Sequence, residues 1–285
     1  MQSEEGTIRS TAADGMTLFT RRWLPDEGRP LRAHIAVIHG YGEHSGRYEP
    51  FAAWMTARGY AVHACDLRGH GHSPGKRGHV DRWRDFFGDT EALLASIRAR
   101  YGDEPLVLVG HSMGGLIVLG YALEKGEGLL GVAASGPALM QGRGVPPLLF
   151  ALAKALAVIA PRLQLDSRLD ADGLSRNREV VRAYVQDPLV HSLGTTRMAV
   201  EMDREMKRVL AEAGRWPADL PLLILHGGDD HFAPPEGSAR FFEAVAARDK
   251  RRIVYPGFYH EVFNEIGREQ SLQALSDWIA EHLPS

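Results

Sequence analysis

Cysteine is almost missing from this sequence. One residue in 285, Cys65, excludes an intrachain disulfide and a cysteine-based zinc site. It ends the apolar run Tyr60 to Cys65, so it reads as a small buried residue and not as a reactive thiol. An excess of one charge is missing too. Lys and Arg number 33 against 36 Asp and Glu, a formal net charge of −3, which gives no reason to expect a nucleic-acid partner. No run is long and apolar enough to span a bilayer. The most apolar stretch, Val145 to Pro161, falls short of the about 20 residues a spanning helix needs, and it carries Lys154. Met1 to Glu5 offer neither the basic nor the apolar region of an ordinary secretory signal. The expectation is a soluble cytoplasmic protein, at most peripheral at membranes, with no obligate protein partner. Internal repeats and linkers are also missing, and 31 Gly with 16 Pro stay below low-complexity levels. What remains is ordinary globular material, 44% hydrophobic and 24% charged, long enough to bury a large core.

Short apolar runs alternate with helical periods. Ile35 to Ile38, Ala61 to Cys65, Leu106 to Val109, Gly131 to Ser135, Leu222 to Leu225 and Arg252 to Tyr255 read as strands. Unbroken apolar runs mark strands covered on both faces, as in a parallel sheet. Thr7 to Thr11 and Thr17 to Leu24 read as an opening antiparallel hairpin around Asp14-Gly15. Apolar stripes at helical spacing fill the gaps, including Phe86, Leu93, Leu94 and Ile97, and Leu272, Leu275, Trp278 and Ile279. The helix from Leu116 to Lys125 is expected to end on Gly126 as a left-handed cap. The alternation predicts an α/β fold with a mostly parallel central sheet flanked by helices. It breaks over residues 141–216, which show no clear strand and several helical patterns, among them Leu148 to Ile159 and Arg197 to Leu210. Residues 1–140 and 217–285 are therefore expected to form the core, with a helical insertion after the sixth strand.

Gly110-His111-Ser112-Met113-Gly114 is a G-x-S-x-G sequence between a predicted strand and a predicted helix, the context of a nucleophile elbow. The turn is so tight that a Cβ at either flank would crowd it. The helix N-terminus beneath the serine favours developing negative charge. A serine nucleophile needs a base and an orienting acid, here in the chain order Ser, acid, His. His260 lies in a loop between the last strand and the last helix, where it can return over the sheet. The strand from Leu222 ends in two candidate acids, Asp229 and Asp230, of which Asp230 is preferred. The oxyanion donors are expected to be the backbone amides of Met113 and of Tyr41, the latter in the loop His39-Gly40-Tyr41-Gly42. Only the backbone of Tyr41 is expected to be used. Other patterns fail. Gly40-x-Gly42 and Gly69-x-Gly71 meet their next glycine one position late for a dinucleotide fingerprint, and His260-Glu261 lacks the second histidine of a zinc motif. No metal and no cofactor is expected.

These residues resemble the α/β-hydrolase superfamily, and in detail the monoacylglycerol lipases, especially the bacterial type. The matching runs are His39-Gly40-Tyr41-Gly42-Glu43-His44-Ser45-Gly46-Arg47-Tyr48, Asp66-Leu67-Arg68-Gly69-His70-Gly71-His72-Ser73, the Ser112 elbow, Asp187-Pro188-Leu189 and Tyr255-Pro256-Gly257 with His260-Glu261. The elbow and the Asp66 run are shared by many α/β-hydrolases; the others are narrower. The resemblance implies Asp230 as the acid and residues 141–216 as a cap with an amphipathic lid. It also implies that Glu43, Arg47 and Tyr184 lie near the glycerol end of the site, and His111 completes the expected substrate-binding set. The alternative for Glu43 and Arg47 is an ion pair that holds the oxyanion loop. Leu148, Leu149, Phe150 and Leu152 are candidates for transient contact with a lipid surface.

The function expected is a serine carboxylester hydrolase that cleaves a small-molecule lipid monoester, a monoacylglycerol, to glycerol and fatty acid through an acyl-enzyme. A lysophospholipase or a broad carboxylesterase or thioesterase on the same three residues is the alternative. A non-catalytic binding protein on the same fold ranks below both, because no member of the Ser112, Asp230, His260 set is missing.

Overall fold

The computed structural model describes residues 1–142, 154–166 and 170–284. The strands are β1 (Gln2–Arg9), β2 (Thr17–Leu24), β3 (Ala33–Ile38), β4 (Tyr60–Cys65), β5 (Leu106–His111), β6 (Gly131–Ser135), β7 (Gln164–Asp166), β8 (Leu193–Thr195), β9 (Leu222–Gly227) and β10 (Lys250–Tyr255). The helices are α1 (Glu49–Thr56), α2 (Arg84–Tyr101), α3 (Met113–Lys125), α4 (Arg178–Gln186), α5 (Thr196–Glu212), α6 (Pro235–Ala244) and α7 (Glu269–His282).

Eight strands form one sheet in the order β1-β2-β4-β3-β5-β6-β9-β10. β4, β3, β5, β6, β9 and β10 are parallel, and the β1–β2 hairpin joins β4 antiparallel. The unbroken apolar runs are explained by burial on both faces, with alternate residues going to opposite sides. Ala36, Ile38, Leu106 and Leu108 pack with α2, α3, α5 and α6 through Phe86, Leu116, Val209 and Phe241. Ile35, Val37, Val107 and Val109 pack with α1 and α7 through Phe51, Met55, Leu272 and Trp278. The result is the α/β-hydrolase fold, in which the loops leaving β3, β5, β9 and β10 gather at one edge of the sheet. Cys65 is buried, and burial pushes its thiol pKa up.

Three local expectations are corrected. β1 begins at Gln2 and ends at Arg9, not at Thr7 and Thr11. Gln2 to Gly6 are polar or exposed and carry no apolar signal, yet they pair with Leu24 to Thr20. Ser10 follows the strand: its amide still donates across the hairpin to the Met16 carbonyl at 2.8 Å, and its hydroxyl donates to Asp89 Oδ1 at 2.6 Å. Gly126 is right-handed, with φ −74°, and not a left-handed cap. A side chain there would run into Leu220, so close packing accounts for the glycine. Between β6 and β9 the chain does contain strand: β7 and β8 form an antiparallel ribbon too short to show a period. Arg197 to Leu210 falls within α5 as expected. Residues 154–159 are helical, while the start of the Leu148 to Ile159 pattern, with Leu148, Leu149, Phe150 and Leu152, lies outside the described residues. Among the described residues no helix is long and apolar enough to cross a membrane.

Candidate active site

Ser112 stands between β5 and α3 with φ 55° and ψ −116°. Among the described residues it is the one non-glycine residue with positive φ. Such a backbone is costly, and it is held by bonds on both sides. The Ser112 amide donates to the Ser135 carbonyl at 2.9 Å, and its carbonyl accepts the Leu116 and Ala138 amides. A Cβ on Gly110 would meet the Gly114 carbonyl, and one on Gly114 would meet the Ile38 carbonyl, so the two flanking glycines are sterically required.

The structure brings Ser112, His260 and Asp230 together. Ser112 Oγ lies 2.8 Å from His260 Nε2, and His260 Nδ1 lies 2.7 Å from Asp230 Oδ2. Asp230 Oδ1 accepts the Phe232 and Ala233 amides, each at 2.9 Å. Asp229 is exposed and its amide bonds the Phe258 carbonyl, so it takes no part. Burial acts to raise the Asp230 pKa, but His260 and His226 outweigh it and hold the carboxyl well below its usual range. Burial acts to lower the His260 pKa, but the Asp230 carboxylate and its hydrogen bond outweigh burial, and the net direction is up. A base fixed in one tautomer against an ionised acid can take the serine proton in an acyl transfer.

The Met113 amide opens α3, and the Tyr41 amide follows β3. Among the described residues neither has a hydrogen-bond acceptor. Two such donors beside a serine suit the oxyanion of a tetrahedral intermediate, each worth about 3 kcal/mol of barrier. His39, which the sequence reading left without a role, supports the Tyr41 peptide. Its Nε2 accepts the Leu67 amide at 2.9 Å, so Nδ1 carries the proton and donates to the Gly40 carbonyl at 2.7 Å. The Tyr41 side chain has a partner as well. Its hydroxyl donates to the Leu193 carbonyl at 2.6 Å, from the oxyanion loop to β8. The same loop receives the His191 amide at the Gly42 carbonyl, 2.9 Å, and His44 Nε2 lies 2.8 Å from Asp187 Oδ2. The Asp187-Pro188-Leu189 run is thereby tied to the loop after β3.

Glu43, Arg47, Tyr184 and His111 are also brought together. Glu43 Oε1 accepts the Gly40 amide at 2.6 Å and the Tyr48 hydroxyl at 2.9 Å. Its Oε2 accepts from Arg47 Nη1 at 2.5 Å. The ion pair therefore braces the loop after β3 at Gly40, and it also faces the cavity. Arg47 lies 4.7 Å from the Tyr184 ring centroid. His111 Nδ1 sits 3.1 Å from the Ser135 carbonyl, and burial chiefly, with His260, pushes its pKa down to about 4. Two further residues were given no role by the sequence. Glu261 forms a bidentate pair with Arg47, and buried Glu265 accepts the Arg176, Tyr259 and Ile266 amides, which anchors the His260 loop. His70, between His39 and His191, packs by ring contact. Among the described residues no group of three or more His, Cys, Asp or Glu could hold a metal ion.

Two cavities meet at Ser112, Tyr41 and Phe232. One, about 60 Å³, is lined by the charged and polar side chains of Glu43, Arg47, His111, Tyr184 and Glu261 together with Leu174 and Phe232. The other, about 390 Å³, is apolar and lined by Met140, Leu165, Met198, Ala199, Met202 and Met206.

Residues 29–267 match the family described as serine aminopeptidase, S33. The chain is 38% identical over 273 residues to a monoacylglycerol lipase of Mycolicibacterium smegmatis, covering 94% of this chain and 95% of the relative. It is 33% identical to phospholipase YtpA of Bacillus subtilis, covering 88% of this chain and 96% of the relative. The crystal structure of Paleococcus ferrophilus monoacylglycerol lipase superposes with a TM-score of 0.83 at 37% identity, covering 93% of this chain and 99% of that one. The chain belongs to the serine aminopeptidase S33 family of α/β-hydrolases and is a serine hydrolase, similar to these monoacylglycerol lipases.

Proposed function

We propose that this chain hydrolyses monoacylglycerols to glycerol and fatty acid through an acyl-enzyme on Ser112. The observation that carries the reading is the meeting, at the Ser112 hydroxyl, of a large apolar chamber and a small one walled on one side by Glu43, Arg47 and Glu261. A single acyl chain fits the first and a compact polyol the second. The similarity to monoacylglycerol lipases supports the same substrate class. His260 takes the Ser112 proton as the hydroxyl attacks the ester carbonyl, and Asp230 stabilises the imidazolium. The Tyr41 and Met113 amides hold the oxyanion. Glycerol leaves with the proton from His260, and water, activated in turn by His260, releases the fatty acid. Glu43, Arg47, Tyr184 and His111 form the wall of the glycerol side.

Residues 141–216 act as a cap over this site in the same proposal. α5 supplies Met198, Met202 and Met206 to the apolar chamber. Val158 and Ile159 stand 82% and 79% exposed, Leu163 is exposed too, and so is Leu165, which lines the chamber. Apolar side chains held in water on this segment suit a peripheral, transient contact with a lipid surface.

A lysophospholipase is the second reading, kept because of the likeness to a phospholipase. The test is turnover of one 1-monoacylglycerol beside the matched di- and triacylglycerol, a lysophospholipid, a short p-nitrophenyl ester and an aminoacyl p-nitroanilide. Preference for the monoacylglycerol is expected. Preference for the lysophospholipid or the anilide overturns the proposal, and activity on the short ester alone moves the chain to the general esterases.

A further inference from the structure

The charge in the smaller chamber is already committed. Arg47 Nη1 donates to Glu43 Oε2 at 2.5 Å and to Glu261 Oε1 at 2.8 Å, and Nη2 donates to Glu261 Oε2 at 2.9 Å. Burial acts to raise both glutamate pKa values, and the guanidinium between them outweighs it and holds both below the usual range. Two carboxylates on one guanidinium leave this wall with one net negative charge. The three side chains are 10% exposed or less, so solvent and salt screen that charge weakly.

We propose that Glu261 makes the site selective for the charge of the leaving alcohol, accepting a neutral polyol and rejecting a phosphate-bearing head group. This deepens the monoacylglycerol reading and rests on it. A phosphate monoester brings about −1.5 to −2 charges at neutral pH. Entering the chamber, it would lose its hydration beside a negative wall, and a buried anion without a partner is costly. Arg47 is the one guanidinium among the described residues lining the chamber, and both its Nη groups already donate to carboxylates. His111 is neutral with its Nδ1 turned to Ser135. The His260 imidazolium, where it forms, is already paired with Asp230. A glycerol hydroxyl meets no such penalty, because it can donate to carboxylate oxygens. Glu261 is the separable part of the wall. Glu43 also holds the Gly40 amide and Tyr48, whereas among the described residues the carboxylate of Glu261 accepts only from Arg47 and, at 2.9 Å, from the Asn264 side chain.

The experiment uses the full chain in neutral detergent micelles with two esters of the same acyl chain, 1-monoacylglycerol and 1-acylglycerol 3-phosphate. The wild type is expected to favour the neutral ester in kcat/KM by about a hundredfold, and Glu261→Gln, equal in shape but uncharged, to move that ratio about tenfold toward the phosphate ester. A wild-type ratio near one, or an unchanged ratio in the variant, overturns the proposal and leaves the monoacylglycerol reading standing. Turnover of neither ester, with the short p-nitrophenyl ester still cleaved, removes both. If Glu261→Gln does not fold, the wild type supplies the second measurement. An acyl-enzyme formed from a p-nitrophenyl ester is offered glycerol or glycerol 3-phosphate. The acyl group moves from Ser112 Oγ to the acceptor hydroxyl, whose proton returns to Ser112 through His260. Glycerol is expected to divert acyl groups and glycerol 3-phosphate is not. Equal diversion overturns the proposal.

Discussion

The ring of His39 holds the carbonyl of Gly40: Nδ1 donates to that oxygen at 2.7 Å while Nε2 accepts the Leu67 amide. The Gly40 carbonyl and the Tyr41 amide belong to one planar peptide, so fixing the first aims the second. Both ring nitrogens are engaged in the neutral state, and burial pushes the His39 pKa down. His39→Leu is expected to lower kcat about ten- to a hundredfold with little change in KM, short of the loss from deleting an oxyanion donor. His39→Gln, which can both donate and accept, should recover part of the rate. Steady-state kinetics on a short ester check this, and equal losses in both variants would reject the assignment.

The strained backbone of Ser112 predicts opposite effects on stability and activity. Ser112→Ala and Ser112→Gly both lose the hydroxyl, and both should lose about 10⁶ in kcat. Only glycine relieves φ 55°. The Gly variant should exceed the Ala variant by about 1 kcal/mol in unfolding free energy, since relief of strain outweighs the added flexibility of the unfolded chain. Denaturant unfolding compares the two. An Ala variant as stable as the Gly variant would show that the turn stores no strain.

His260 is the base only when neutral, so kcat/KM must fall as pH falls through its pKa. Burial would lower that pKa, but the Asp230 carboxylate outweighs it and raises the pKa above the ordinary imidazole value. The acid limb of the pH profile should therefore have its midpoint above that of a free imidazole. In Asp230→Asn the midpoint should move down, and kcat should drop about 10⁴-fold as the imidazole loses its tautomer. A profile with an unmoved midpoint in the variant would separate Asp230 from the base.

The apolar chamber should set the reach of the acyl chain. Ala199 on α5 lines it. Ala199→Phe should cut kcat/KM on a long-chain monoester about tenfold or more while leaving a two-carbon p-nitrophenyl ester near wild type. The cost is steric, from overfilling a formed pocket. Equal effects on both esters would place the chain elsewhere.

The sheet and the Ser112, Asp230, His260 set were legible because local pattern carries them. The strands are unbroken apolar runs, and Gly110, Ser112 and Gly114 must be close in sequence to make the turn. Asp230 could not be separated firmly from Asp229 by pattern, since burial against His260, 30 residues away, distinguishes them. Glu261 was visible in a failed zinc motif and in the Tyr255 to Glu261 run but not as an ion-pair partner, because Arg47 lies 214 residues earlier. The β7–β8 ribbon was hidden by its length of three residues per strand. β1 was misplaced because it is exposed, and hydrophobic periodicity cannot report an exposed strand.

The most direct test of the whole account is the covalent state of Ser112 during turnover. The enzyme is mixed with a 1-monoacylglycerol, quenched in acid within milliseconds, and the peptide carrying Ser112 is weighed. The account predicts a mass increase equal to the acyl group on Ser112, formed as glycerol is released and absent in Ser112→Ala. Glycerol release with no adduct on Ser112, or release that persists in Ser112→Ala, would contradict it.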